Sequence, residues 1–230
     1  MSLVKLCRDG DLEGVKQALQ SGADVNANDW YGSTGLMWAV DNNHNSVVAL
    51  LLENQNIDVN WKNDGGWCAL HWAVRSQNNK ALKMLLNVPG IDVNIVNNKG
   101  WSAIHRAVIK DNIEGLKLLL GHPSLTALTL NHKDKKGDTA VMQALTGKRL
   151  EHLAVLIADP RVDLDITDRE GRSLDEVARW VFFSCGILKI ARTHMDWVFC
   201  QMRTIFFTIR HFLGKFTNFQ VHTYQYRDLQ

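Results

Sequence analysis

Short apolar clusters alternate with polar runs along most of this chain, and they come in pairs. Leu36-Met37-Trp38-Ala39-Val40 is followed by polar Asp41-Asn42-Asn43-His44 and then by Val47-Val48-Ala49-Leu50-Leu51-Leu52. Ala69-Leu70-His71-Trp72-Ala73-Val74 pairs in the same way with Ala81-Leu82-Lys83-Met84-Leu85-Leu86. Ile104-His105-Arg106-Ala107-Val108 pairs with Leu116 to Leu120, and Val141-Met142-Gln143-Ala144-Leu145 with Leu153 to Ile157. Apolar positions three and four apart within a cluster predict helices. Each unit therefore reads as a turn, a short helix, a tight reversal, a longer helix and an extended finger leading to the next unit. Small alanines let neighbouring helices approach, and the leucines fill the layer between them.

The units recur at a fixed step. Glycine stands at Gly32, Gly66, Gly100, Gly137 and Gly171, and alanine follows seven residues later at Ala39, Ala73, Ala107, Ala144 and Ala178, with spacings of 34, 34, 37 and 34. Asp24-Val25-Asn26, Asp58-Val59-Asn60, Asp92-Val93-Asn94 and Asp163-Leu164-Asp165 keep the register, and Pro89, Pro123 and Pro160 fall at one equivalent place. Such a period predicts a solenoid in which stacked neighbours bury what one unit cannot bury alone. The expected array spans 1–178, with units at about 1–28, 29–62, 63–96, 97–133 and 134–167 and a partial one at 168–178. The first unit has two helices, carrying Leu3, Leu6 and Cys7 and then Leu12, Val15, Ala18 and Leu19. Its polar Lys5, Arg8, Lys16 and Gln17 suit an end cap.

The stretch Gly65-Gly66-Trp67-Cys68-Ala69-Leu70-His71-Trp72-Ala73, the Leu82-x-x-Leu85-Leu86 run and Asp92-Val93-Asn94 resemble the ankyrin repeat family. Its consensus reads Gly-x-Thr-Pro-Leu-His-x-Ala, then a second helix ending in Leu-Leu, then Gly-Ala-Asp-Val-Asn. Leu70-His71 with Ala73 and Ile104-His105 with Ala107 match it closely. The family's proline is replaced by Gly35, Ala69, Ala103, Ala140 or Leu174, a change of small cost because proline suits the first helical turn without being required there. The resemblance implies an all-α ankyrin-repeat solenoid of stacked helix-turn-helix units with β-hairpin-like finger loops, followed here by a C-terminal amphipathic helical tail. It also implies that His71 and His105 tie their short helices to a neighbouring turn.

Two stretches break the rule. The connector from Gly121 to Lys133 is three residues longer than its counterparts and offers Ala127-Leu128-Thr129-Leu130 where the aspartate landmark belongs. In the sixth unit, Arg179-Trp180-Val181-Phe182-Phe183 replaces the polar reversal, and no second helix returns. Composition shifts at the same place: residues 1–179 hold 20 Lys and Arg against 22 Asp and Glu, whereas 180–230 hold six against two and contain all eight phenylalanines. In this basic tail, 179–230, Lys189, Asp196, Arg203 and Arg210 recur every seven residues amid large apolar side chains, the pattern of a helix with a narrow polar stripe. Three readings stay open for it: a cap on the last repeat, a helix for an anionic membrane surface or a partner's groove through residues 180–215, or an unselected extension of the gene product. Its longest apolar run, Trp180 to Leu188, is too short to span a bilayer.

Charged residues at Lys5, Arg8, Asp9, Asp11 and Glu13 rule out a signal peptide in Met1 to Gly14. Cys7, Cys68, Cys185 and Cys200 show no metal or disulfide spacing, so a reducing compartment is expected: the cytoplasm, with the nucleus open. No phosphate-binding glycine loop, nucleophile elbow or metal spacing appears. No catalytic residue, metal or cofactor is therefore expected. Asp163, Asp165 and Asp168 look faintly like a calcium loop but have Leu174 where a glutamate is needed. Lys133, Lys135 and Lys136 form a small basic spot, with nucleic-acid binding not expected.

The tryptophans carry the functional signal. Trp30, Tyr31, Trp67 and Trp101 flank the repeat glycines, where the resemblance puts side chains at finger tips along a concave side. Exposed aromatics there predict a protein-binding surface, since rigid rings supply much apolar area at low entropic cost. The alternative is that successive rings stack between fingers and only stiffen the array. Trp38, Trp72 and Arg106 lie on the short helices beside the groove, either extending the surface or packing between units, and Trp61 is expected to be packed. His44, Arg75, Lys99 and Arg106 would tune selection. The predicted function is thus a non-enzymatic scaffold for a protein partner, acting as a monomeric array. Gly65-Gly66-Trp67 with Leu70-His71 also resembles the second-messenger-binding ankyrin segment of the interferon-linked latent ribonuclease, which implies a nucleotide sensor working through Trp67; that family's phosphate-contacting lysine falls at Asn97 here. Asn60 and Asn94, and less closely Asn26, are similar to asparaginyl-hydroxylase targets in other ankyrin arrays.

Overall fold

Why each pair of apolar clusters becomes two short antiparallel helices is visible at the reversals. In the computed structural model, which describes residues 2–184, the first helix of a unit is seven residues long and begins at a hydroxyl or thiol residue. Thr34 caps α3 (Gly35–Asp41), after α1 (Leu3–Asp9) and α2 (Leu12–Gln20) of the first unit. The remaining pairs are α3 with α4 (Asn45–Leu52), α5 (Ala69–Arg75) with α6 (Asn79–Leu86), α7 (Ala103–Ile109) with α8 (Ile113–Leu120), and α10 (Ala140–Thr146) with α11 (Leu150–Ile157). Among the described residues the architecture is all-α. The fingers contain only isolated backbone bridges such as Val96 with Ser102.

The helix-to-helix reversal uses one residue in the left-handed region, which is Gly10 in the first unit and Asn43, Gln77, Asp111 and Lys148 in the later ones. The next residue starts the second helix and reaches back to the preceding unit. Asn78 accepts from Ala81 N and donates to Val40 O, and Asn112 accepts from Gly115 N and donates to Val74 O. Arg149 donates to Ile109 O. Carbonyls at a short helix's C-terminus, which lack an intrahelical partner, are thereby satisfied by the next unit.

A second ladder runs along the fingers. Asn26 donates to Asn56 O and accepts from Asp58 N, Asn60 does the same with Gly90 O and Asp92 N, and Asn94 with Ser124 O and Thr126 N. Asn131 continues it with Arg161 O and Asp163 N. The long connector therefore does not break the register. Its extra residues fold into a one-turn helix, α9 (Ala127–Leu130), capped by Thr126, with Leu130 fully buried.

The core is a continuous strip in which Leu36, Leu70, Ile104 and Met142 of the short helices meet Leu51, Leu82, Leu85, Leu116 and Leu119 of the longer ones, all 1% exposed or less. α12 (Leu174–Ser184) starts the sixth unit and runs past residue 178 to eleven residues, where the earlier short helices stop at seven. The tail helix expected beyond it, and with it the membrane, groove and cap readings, lies outside the described residues.

Candidate partner-binding surface

Each finger is built on one aspartate or asparagine. Asp29, Asn63, Asn97, Asp134 and Asp168 each accept two backbone N–H groups with Oδ1, from residues two and four positions ahead. This fixes a tight tip that closes on a glycine with positive φ. At Gly66 a Cβ would lie 2.6 Å from Asn98 Oδ1 and 2.8 Å from Asn98 N, so only glycine lets adjacent fingers nest. The nesting is itself hydrogen-bonded, Asp64 N donating to Tyr31 O, Asn98 N to Gly65 O and Lys135 N to Lys99 O.

The expected tip aromatics divide into two groups. Trp30 is 97% exposed and Tyr31 73% exposed on a tip held by Asp29. Trp67 and Trp101 are half-buried instead, because their rings meet edge to face at 6.0 Å, Trp67 also rests on His71 at 5.4 Å, and Trp101 Nε1 donates to Asp134 Oδ2 at 2.9 Å. Some of the stacking between fingers weighed above is thus present at these two rings.

On the short-helix face, Trp38 is half-buried, with Nε1 donating to Asp29 Oδ2 at 2.8 Å, and meets Trp72 edge to face at 5.2 Å. Trp72 is only 6% exposed and packs between units. Trp61 is half-buried and donates to Gly32 O. Cations cover the rings: Arg8 over Trp38, Arg75 over Trp72 at 4.9 Å, Lys99 over Trp101 at 5.1 Å, and Arg106 over Trp67 at 4.9 Å and Trp101 at 5.9 Å. One face of Trp67 therefore already carries a guanidinium. Arg75 also pairs with Asp41 at 2.8 Å, whereas His44 is occupied by Arg8 O.

His71 sits beneath this surface, fully enclosed. Its Nδ1 accepts from Cys68 N, so Nε2 carries the proton and donates to Trp101 O at 3.0 Å. Burial pushes its pKa down to about 4, and does the same to His105. His71 is thus a neutral tie to the next finger, with Cys68 Sγ 3.0 Å from its Nδ1, whereas His105 caps its own helix with Nδ1 against Ser102 and its Nε2 meets no hydrogen-bond partner among the described residues. Asn60 and Asn94 have both ends of their amides engaged in the finger ladder. Asp163 and Asp168 accept backbone bonds in turns, Lys133 donates to Thr167 O, and no metal-binding cluster occurs among the described residues. Sequence reasoning passed over Asp29 and Asp134, which orient the aromatic face. The signal was a fixed nine-residue step from the finger acid to the groove-facing helix position, as in Asp29 to Trp38 and Asp134 to Gln143.

Paired helices stacked through fingers, with a ring-and-cation face on one side, define a helical-repeat binding module. The family model for ankyrin repeats, in three copies, matches residues 3–97 and 88–168, and the chain belongs to the ankyrin repeat family. No curated protein matches it. Ankyrin repeats are generally protein–protein interaction modules and typically not enzymes. No helix among the described residues is long and apolar enough to cross a membrane.

Proposed function

We propose that this chain is a non-enzymatic scaffold that holds a segment of a partner protein against the fingers and short helices of units two to four. The observation that carries this reading is the exposure of Trp30 and Tyr31 on a tip made rigid by the Asp29 turn. A tryptophan left almost wholly in water has no folding role there, while a preorganised ring loses little entropy on contact. The wall of Trp38, Trp67, Trp72 and Trp101 with its cations extends the surface behind it.

The test is photocrosslinking in cells from a benzoylphenylalanine placed at Tyr31 or, as a control on a second helix, at Lys80. A discrete protein adduct from position 31 alone is expected. Trp30→Ala should weaken that complex about ten-fold, as for a binding hot spot, without lowering the melting temperature. Equal adducts from both positions, or none from either, overturn the reading.

A further inference from the structure

The finger acid and the helix position nine residues on form a donor–acceptor pair where the face is self-sufficient. Asp29 Oδ2 accepts from Trp38 Nε1 at 2.8 Å, and Asp134 Oδ2 accepts from Gln143 Nε2 at 3.0 Å and from Trp101 Nε1 at 2.9 Å. In unit four the same two positions hold Asn97 and Arg106. Asn97 Oδ1 accepts from Lys99 N and Trp101 N, which fixes the amide orientation and leaves Nδ2 as the group in the acceptor's place. That Nδ2 is buried without a hydrogen-bond partner among the described residues, on a residue only 5% exposed. Arg106 Nε is also buried without one, and its guanidinium makes no ion pair among the described residues.

Two donor groups thus stand where units two and five oppose a donor with a carboxylate. The nearby charges do not balance either: Arg75 and Arg106 share the single carboxylate of Asp41, which pairs with Arg75. Unpaired buried donors are costly, and an arginine stacked on two tryptophans is held flat with its fork preorganised for a planar anion. We infer that Arg106, with Asn97 behind it and Trp67 and Trp101 flanking it, receives an aspartate or glutamate carboxylate from the partner segment. The segment bound is accordingly acidic. This rests on the concave-face reading above and adds the partner's chemistry to it.

The test is titration of the full chain, followed by tryptophan emission, with an acetylated, amidated peptide of eight glutamates, with an eight-lysine peptide and an eight-nucleotide oligoadenylate as comparisons. Saturable binding of the glutamate peptide is expected, weakened about ten-fold or more by Arg106→Met and less by Arg106→Lys, which keeps the charge but loses the fork. Asn97→Asp retains the finger turn and supplies the missing acceptor from within. It should therefore raise the melting temperature while abolishing peptide binding. Glutamate binding unchanged by Asn97→Asp and Arg106→Met, as general attraction to the basic tail would give, overturns the inference. So does saturation by the oligoadenylate in preference to the peptide. If the peptide fails while the adduct from position 31 persists in Asn97→Asp, the acidic-partner inference falls and the concave-face reading stands.

Discussion

A histidine enclosed on the first helix of a unit caps that helix only while neutral. His71 Nδ1 must accept from Cys68 N, and His105 Nδ1 from Ser102 N, and protonation removes both acceptors. Burial lowers the two rings from 6.5 to about 4, so between those values the unfolded chain takes up protons that the folded chain refuses. Their contribution is present in full above pH 6.5 and is lost as the pH falls toward 4, by about 3 kcal/mol per ring at the acid end. Urea midpoints at pH 7 and pH 4.5 should show that fall, and His71→Gln should lose markedly less stability over the interval than the parent. Equal losses would mean that His71 is not the titrating group. The neighbouring thiols add nothing reactive, since burial pushes Cys68 up to about 11 and Cys7 up to about 12.

At the scale of the helix pair, the reversal is the strained element. Asn43, Gln77, Asp111 and Lys148 hold φ of 62°, 57°, 59° and 57° where only the first unit has glycine. Some are compensated: Gln77 Nε2 donates to Lys110 O, and Asp111 pairs with Arg149. Lys148 is exposed, and its side chain has no such bond among the described residues. Lys148→Gly should therefore stabilise the chain by about 1 kcal/mol through relief of left-handed strain, whereas Gln77→Gly should gain less. Thermal melting followed by circular dichroism distinguishes them, and a lower midpoint for Lys148→Gly would reject the strain argument.

Across the whole array, stability passes from unit to unit through the asparagine ladder and the reversal clamps, so neighbours are coupled and distant units are not. Leu116, fully buried on α8, should cost about 3 kcal/mol when cut to alanine. Hydrogen exchange read by mass spectrometry should then show faster opening of α7, α8, α10 and α11, with α1 and α2 little changed. Uniform acceleration from α1 to α11 would instead mark a single cooperative block.

The repeat, its helices and its family were legible in the chain because they rest on local periodicity and on glycine at tips that need positive φ. The ladder asparagines were legible as landmarks, though not as bidentate ties, since Asn26, Asn60 and Asn94 bond backbone some thirty residues away. The irregular connector hid its continuity for the same reason: Asn131 takes the ladder position after a one-turn helix, and that is decided by what it reaches in the next finger. The aromatic face was legible in composition alone. Sequence determined that tryptophans stand at tips and short helices. Tertiary structure decided that Trp30 and Tyr31 remain in water, that Trp72 packs between units, and that Trp67 and Trp101 enclose an arginine whose Nε has no acceptor among the described residues. Those outcomes depend on which finger lies against which helix, a relation between units that no single period of the sequence contains.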